Sequence, residues 1–158
     1  MNYASIRTCD IANGEGVRVS LFVSGCTHHC RGCFNEEAQA FDYGEPFTRE
    51  VEDSILTALE PGFIAGLTLL GGEPMEPENQ RVLVPFLRRF RERFGATKTL
   101  WVYTGCVWEK LGSRNEEFGM AEGSFYLSEA QLHWFGLVRI PVYFVLFFYR
   151  MGECIDKK

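Results

Sequence analysis

The segment Gly25-Cys26-Thr27-His28-His29-Cys30-Arg31-Gly32-Cys33-Phe34-Asn35 places three cysteines within eight residues, spaced C-x3-C-x2-C. Directly before it, Val17, Val19, Leu21 and Val23 recur at period two, the mark of a strand. The cysteines therefore fall on the loop leaving the strand's C-terminal end, which is where α/β folds place their chemistry. Three thiolates this close cannot all pair as disulfides, and together they concentrate like charge. The pattern calls for a metal.

Two metals compete. Structural zinc takes four ligands in a closed tetrahedron, usually as two separated pairs. Here no second C-x2-C follows, and the nearest fourth ligands, His28 and His29, lie inside the bent loop itself. An iron–sulfur cube suits the count better, because three cysteines hold three irons and leave the fourth open for a ligand. The spacing favours the cube and leaves zinc as the alternative.

At 158 residues the chain is one domain, long enough for a hydrophobic core. A hydrophobic content of 46% and a net charge of -5 describe a globular chain and argue against a nucleic-acid binder, which is normally basic. Arg7, Asp10 and Glu15 interrupt the N-terminal stretch, so no signal-type apolar region is read there. Six cysteines without a signal read as metal chemistry in a reducing, cytoplasmic setting, with no membrane partner.

Taken in order, Met1 to Gly16 reads as a lead-in ending in the turn Asn13-Gly14-Glu15-Gly16. After the cysteine loop, Thr48 is a candidate N-cap for a helix carrying Glu50, Glu52 and Asp53 in its first turn. Val51, Ile55, Leu56 and Leu59 form its apolar face, and Pro61-Gly62 ends it. Gly66 to Leu70 reads as a second core strand running into Gly71-Gly72-Glu73-Pro74. A further helix follows from Val82, Leu83, Phe86, Leu87, Phe90 and Phe94, with Pro85 expected to kink it unless it falls in the first turn. Its Arg88, Arg89, Arg91 and Arg93 read as a solvated face, with a docking surface as the alternative. Leu100 to Tyr103 is a third strand, and Val107 to Leu111 begins another helix. Strand and helix alternate, which predicts a parallel sheet.

The cysteine spacing resembles that of the radical S-adenosylmethionine enzymes. More narrowly, the chain resembles the family of activating proteins of the anaerobic (class III) ribonucleoside-triphosphate reductase. The residues that carry the closer likeness are Met1-Asn2-Tyr3, 10–16 (DIANGEG), 21–26 (LFVSGC) and Gly32-Cys33-Phe34-Asn35. They continue with Pro46-Phe47-Thr48, Gly71-Gly72-Glu73-Pro74, Pro77-Glu78-Asn79 and Trp101-Val102-Tyr103-Thr104-Gly105. Together they span about residues 1 to 112 in the family's order. A lone C-x3-C-x2-C is moderately specific, whereas these motifs in register are highly specific.

The resemblance implies an α/β fold, a partial (incomplete) βα barrel with parallel strands. It implies a 4Fe-4S cluster on Cys26, Cys30 and Cys33, with S-adenosylmethionine chelating the open iron. Reductive cleavage would then yield a deoxyadenosyl radical that takes hydrogen from a glycine on the large reductase subunit. A flavodoxin-like or other low-potential donor would supply the electron. Gly71, Gly72 and Glu73 would hold the methionine amino group, paired glycines allowing close backbone approach. Gly32, Cys33 and Phe34 would flank the adenine, with Phe34 as ordinary core the competing reading. Thr104 would donate to ribose or carboxylate, or cap the next helix. Asn13-Gly14 and Thr104-Gly105 are expected on one rim. Two alternatives stand beside this: a radical enzyme for another glycyl-radical partner or a metabolite, and a non-catalytic zinc- or cluster-binding module.

His28 and His29 read as solvent or partner contacts, and His133 as structural. Cys9, Cys106 and Cys154 read as small hydrophobes, with Cys106 standing where the family usually has tyrosine. The likeness stops near Gly112. Residues 113–158 lack the family's usual C-terminal pattern and are rich in aromatics, ending in 142–149 (VYFVLFFY). That run is too short for a membrane span of about twenty residues. It reads as a buried strand or an aggregation-prone segment, a diverged or frame-altered substitute for the usual last strands.

Overall fold

β1 (Asn2–Asp10) opens the chain, where the residues read only as a lead-in. They show no apolar alternation, and only Asp10 among them is buried. What holds them extended is the antiparallel ladder to β2 (Val17–Val23), with Tyr3 opposite Val23 and Asp10 opposite Arg18. The computed structural model describes residues 1–106 and, beyond them, the strand segments Phe125–Ser128, Gln131–Trp134 and Pro141–Leu146.

The strand at the N-terminus corrects one expectation. The Asp10 carboxylate accepts the Ala12 N–H at 2.9 Å and the Asn13 amide at 2.7 Å, closing the turn into β2. That turn precedes β2, so it lies at the opposite end of the strand from the cysteine loop. The Asn13 carbonyl accepts from Thr68 Oγ1 at 2.8 Å, and Gly14 packs against Arg18 and Trp101. Arg18 lies at the start of β2, and Thr68 and Trp101 lie within β4 and β5, short of their C-terminal ends. Asn13-Gly14 therefore does not share the rim of Thr104-Gly105.

β3 (Glu45–Pro46) adds a short edge to β1. α1 (Arg49–Ala58) and α2 (Pro77–Phe94) flank β4 (Ile64–Gly71), and α2 leads into β5 (Thr99–Thr104). Thr48 occupies the N-cap position of α1 without a capping bond from its side chain. Pro77 opens α2 at the position where a missing N–H costs nothing, and the helix runs on through Pro85 to Phe94. β6 (Phe125–Ser128), β7 (Gln131–Trp134) and β8 (Pro141–Leu146) complete a sheet of order β3-β1-β2-β4-β5-β8-β7-β6. β2, β4, β5 and β8 are parallel neighbours, whereas β1, β3, β6 and β7 pair antiparallel. The aromatic run thus enters the sheet beside β5, with Thr104 opposite Leu146. The expected helix at Val107–Leu111, Cys154 and the side chains of the aromatic segment lie outside the described residues.

Period two divides the parallel strands into two faces. Val19, Leu21, Val23, Leu67, Leu69, Leu100 and Val102 join Ile55, Leu56, Leu59, Leu83, Phe86 and Phe90 in one buried core beneath the helices. The other face carries Arg18, Ser20 and Thr68, each fully buried. The Arg18 guanidinium reaches Thr68 Oγ1 (2.7 Å), Thr99 Oγ1 (2.8 Å) and the carbonyls of Glu15, Leu67 and Thr99, and lies over Trp101. Five bonds satisfy all its donors in the absence of a carboxylate partner among them. Burial alone pulls it down to about 10.

Part of the basic run on α2 is engaged within the fold, while Arg88 is exposed. Arg89 pairs with Glu52 and Asp53 of α1, and Arg93 with Glu60 just beyond its end. Surface pairs contribute little singly, and Leu56 of α1 and Phe90 of α2 belong to the same buried core.

Candidate metal and cofactor site

Three loops meet at the C-terminal ends of β2, β4 and β5. The first carries the cysteines, the second Gly72-Glu73-Pro74, and the third Gly105-Cys106. Backbone bonds knit the first two: Gly72 N–H donates to Val23 O (2.8 Å) and Glu73 N–H to Gly25 O (2.9 Å). Glycine is required at these positions by contact. A Cβ on Gly72 would stand 2.6 Å from Gly25 O, and one on Gly71 would stand 2.6 Å from Val23 O, with Gly71 at φ 107. The buried Asn79 amide adds a third tie, donating to Ser24 O (3.0 Å) and Glu73 O (2.9 Å).

Glu73 is the centre of the arrangement. Its Oε1 accepts Met75 N–H (2.8 Å) and Thr104 Oγ1–H (2.7 Å). Its Oε2 accepts Gly105 N–H (2.8 Å) and lies 3.2 Å from His28 Nε2. A carboxylate offers about four acceptor sites, and all four are in use. Thr104 donates to this protein carboxylate and accepts Cys106 N–H at 3.0 Å, while the helix it was expected to cap lies outside the described residues.

The cysteine loop is held from below. Glu76 Oε1 accepts both the Thr27 N–H (2.9 Å) and the Thr27 hydroxyl (2.6 Å), while Cys26 N–H donates to Gln39 O (3.1 Å). Gly32 turns the loop at φ 73, and His29 shares the left-handed region at φ 48 with its Nδ1 2.9 Å from Gln39 Oε1. Cys26 and Cys33 are half-buried and Cys30 is exposed. Burial first, then the carboxylates of Glu73 and Glu76 and the neighbouring Cys30, push the Cys26 thiol up to about 11. A thiolate at this point therefore needs a cation, and the donor set fits an iron–sulfur cluster held by Cys26, Cys30 and Cys33.

Residues 12–124 match the family model of a 4Fe-4S single cluster domain. The anaerobic ribonucleoside-triphosphate reductase-activating protein of Pasteurella multocida is 49% identical over 113 residues, 70% of this chain and 71% of the relative. That of Escherichia coli K12 is 38% identical over 115 residues, 72% of this chain and 74% of the relative. The chain belongs to the family of anaerobic ribonucleoside-triphosphate reductase-activating proteins. The relative from Vibrio cholerae is 33% identical over 145 residues, 86% of this chain and 93% of its own length.

Set against this family, Cys26, Cys30, Cys33, Gly71, Gly72, Glu73 and Thr104 all come to one end of the sheet. Phe34 is 86% exposed, which removes the reading of it as ordinary core. His28 and Cys106 were not marked by the pattern as site residues, yet both stand against Glu73, with Cys106 Sγ 3.6 Å from His28 Nε2. Hydrogen bonds to Cys106 and then Glu73 push the His28 imidazole up to about 10. Glu76 was also missed. A histidine beside a metal-ligand cysteine, and an acidic residue three positions after Glu73, were the available signals.

Proposed function

We propose that the chain activates an anaerobic ribonucleoside-triphosphate reductase by radical chemistry, using S-adenosylmethionine at a cluster held by Cys26, Cys30 and Cys33. The observation that carries the proposal is the joining of the cysteine loop to the Gly71-Gly72-Glu73 loop, through Glu73 N–H to Gly25 O. That contact sets the three thiols beside the loop that the family resemblance implies for the methionine amino group. Cys26, Cys30 and Cys33 would hold the cluster, which when bound would supply the electron for reductive cleavage of S-adenosylmethionine and so the hydrogen abstraction from a glycine of the partner.

The chain's own residues perform the holding. Glu76 clamps Thr27 next to Cys26, and Asn79 fixes Ser24 and Glu73 together. Glu73 ties the ends of β4 and β5 through Thr104 and Gly105. Rigid positioning of this kind is what a protein contributes when a cofactor carries the reaction. Phe34 presents an exposed ring beside Cys33, suited to an adenine face. With Cys30 exposed as well, the loop is open to approach by a protein substrate.

The partner in this reading is the large glycyl-radical subunit, the electron donor is a flavodoxin-like or other low-potential protein, and the setting is the cytoplasm. Among the described residues no helix is long and apolar enough to cross a membrane. The parallel strands β2, β4, β5 and β8 are the part of the sheet from which a partial βα barrel would be built.

The test is electron paramagnetic resonance of the anaerobic, reconstituted and reduced protein mixed with S-adenosylmethionine and the reductase subunit. A glycyl doublet on the large subunit that disappears in Cys30→Ala is expected. A reduced-cluster signal with no glycyl radical would remove the partner assignment. Stoichiometric zinc with no cluster signal would overturn the reading as a whole.

A further inference from the structure

Glu73 already accepts four hydrogen bonds, so an amino group from a ligand reaches its carboxylate only where one of them opens. Three are fixed in place. The N–H groups of Met75 and Gly105 belong to the main chain, and the Thr104 hydroxyl is buried at the end of β5. The fourth differs. His28 Nε2 lies 3.2 Å from Oε2, the longest of the four contacts, and it comes from a side chain that turns about its own torsions.

The imidazole is also the partner placed to leave. The Glu73 side chain keeps 1% of its surface in solvent and that of His28 keeps 28%. Cys106 Sγ lies 3.6 Å from the same Nε2. One ring nitrogen carries at most one hydrogen, so its hold on the carboxylate is divided. Glycine at 105 leaves the ring room on that side, where a Cβ would stand 3.4 Å from His28 Cδ2 and 3.6 Å from Glu73 Oε2.

We propose that His28 occupies the place of the cofactor's ammonium group on Glu73 Oε2 and yields it on binding, so that His28 sets how tightly the amino group is held. The inference rests on the reading given above, in which S-adenosylmethionine brings its amino group to the Gly71-Gly72-Glu73 loop. An ammonium supplies the same kind of N–H donor at that oxygen, with two more to spare. Met75, Thr104 and Gly105 keep the carboxylate aimed throughout the exchange. A ligand's apparent affinity falls with the fraction of protein whose site is free to receive it, and the imidazole lowers that fraction. In return, the buried carboxylate is spared an unmade bond while the cofactor is away.

The test measures binding, on the full chain with its cluster loaded and kept anaerobic. Equilibrium dialysis with labelled S-adenosylmethionine compares the wild-type protein, His28→Ala and His28→Gln, each referred to its iron content. His28→Ala should bind about 3- to 10-fold more tightly, the worth of one such hydrogen bond. His28→Gln keeps an N–H donor near the position of Nε2 and should stay close to wild type. An analogue without the amino group should bind wild-type protein and His28→Ala alike. Unchanged or weaker binding by His28→Ala, or an equal gain for the analogue, would overturn the inference.

Because position 28 lies between two cluster cysteines, a measurement on the wild-type protein stands beside the variants. Modification by diethyl pyrocarbonate, mapped by peptide mass spectrometry and read against the exposed His29, should rise at His28 when S-adenosylmethionine is added. An unchanged or lower yield at His28 would overturn the inference even where a variant fails to load its cluster. Cluster-loaded wild-type protein that binds no S-adenosylmethionine would instead remove the functional reading, and this inference with it.

Discussion

Thr104 Oγ1 donates a 2.7 Å hydrogen bond to Glu73 Oε1, joining the last residue of β5 to the loop after β4. Both groups are buried, so the bond is made away from competing water. Thr104→Val keeps the shape and removes the donor. It also removes the acceptor for Cys106 N–H, and the expected loss is about 1–3 kcal/mol. Anaerobic urea unfolding measures it, and Thr104→Ser should recover most of the loss.

Glu76 holds the cysteine loop through two bonds from Thr27 to a single oxygen. Glu76→Ala frees the residue next to Cys26 while leaving every thiol in place. Iron should pass to an external chelator about tenfold faster, the lower end of the effect of losing an outer-shell contact. The time course of transfer under anaerobic conditions checks this, with an unchanged rate as the contrary outcome.

Gly72→Ala introduces a methyl group 2.6 Å from Gly25 O and 2.8 Å from Ala38 O, both backbone atoms that cannot swing aside. Separating the two loops should cost about 1–3 kcal/mol, as overpacking does elsewhere. A fall in the unfolding midpoint together with lower cluster occupancy is expected. Normal iron content and an unshifted midpoint would show that the loops tolerate separation.

Arg18 lies on the buried polar face, away from the cysteine loop. Arg18→Met leaves the carbonyls of Glu15, Leu67 and Thr99 without this donor and should destabilise the fold by about 3 kcal/mol. Whatever fraction stays folded should load iron normally. Iron per folded chain, set beside the unfolding free energy, separates these two effects.

Phe34→Ala removes an exposed ring and should leave stability within about 0.5 kcal/mol. S-adenosylmethionine binding by the cluster-loaded protein should weaken about tenfold if the ring covers the adenine. Equilibrium dialysis with labelled cofactor reads it directly, and unchanged affinity would assign the ring to the protein partner instead.

Much of the chain's fold is legible in local sequence patterns. The period-two run Val17–Val23, the apolar stretch before Gly71 and the helical spacing of Leu83, Phe86 and Phe90 each form the element their pattern demands. These are local signals, because burial of one face repeats at the element's own period. β1 escaped notice for the complementary reason. Its residues are mostly exposed or half-buried, and its extended shape comes from hydrogen bonds to β2. Missing that strand also misplaced Asn13-Gly14, since direction along a sheet depends on every strand before it.

The sequence alone determined that three cysteines share one loop, that this loop follows a core strand, and that a glycine pair with Glu73 follows another. Those facts are covalent order and short-range periodicity. Only the tertiary structure decided that Glu73 meets Thr104, Gly105 and His28 from the two neighbouring loops, that Glu76 clamps Thr27, and that His28 meets Cys106. The last pair is separated by 78 positions in the chain. Such contacts depend on strand order and register, and a parallel sheet sets these through crossovers that no local pattern records.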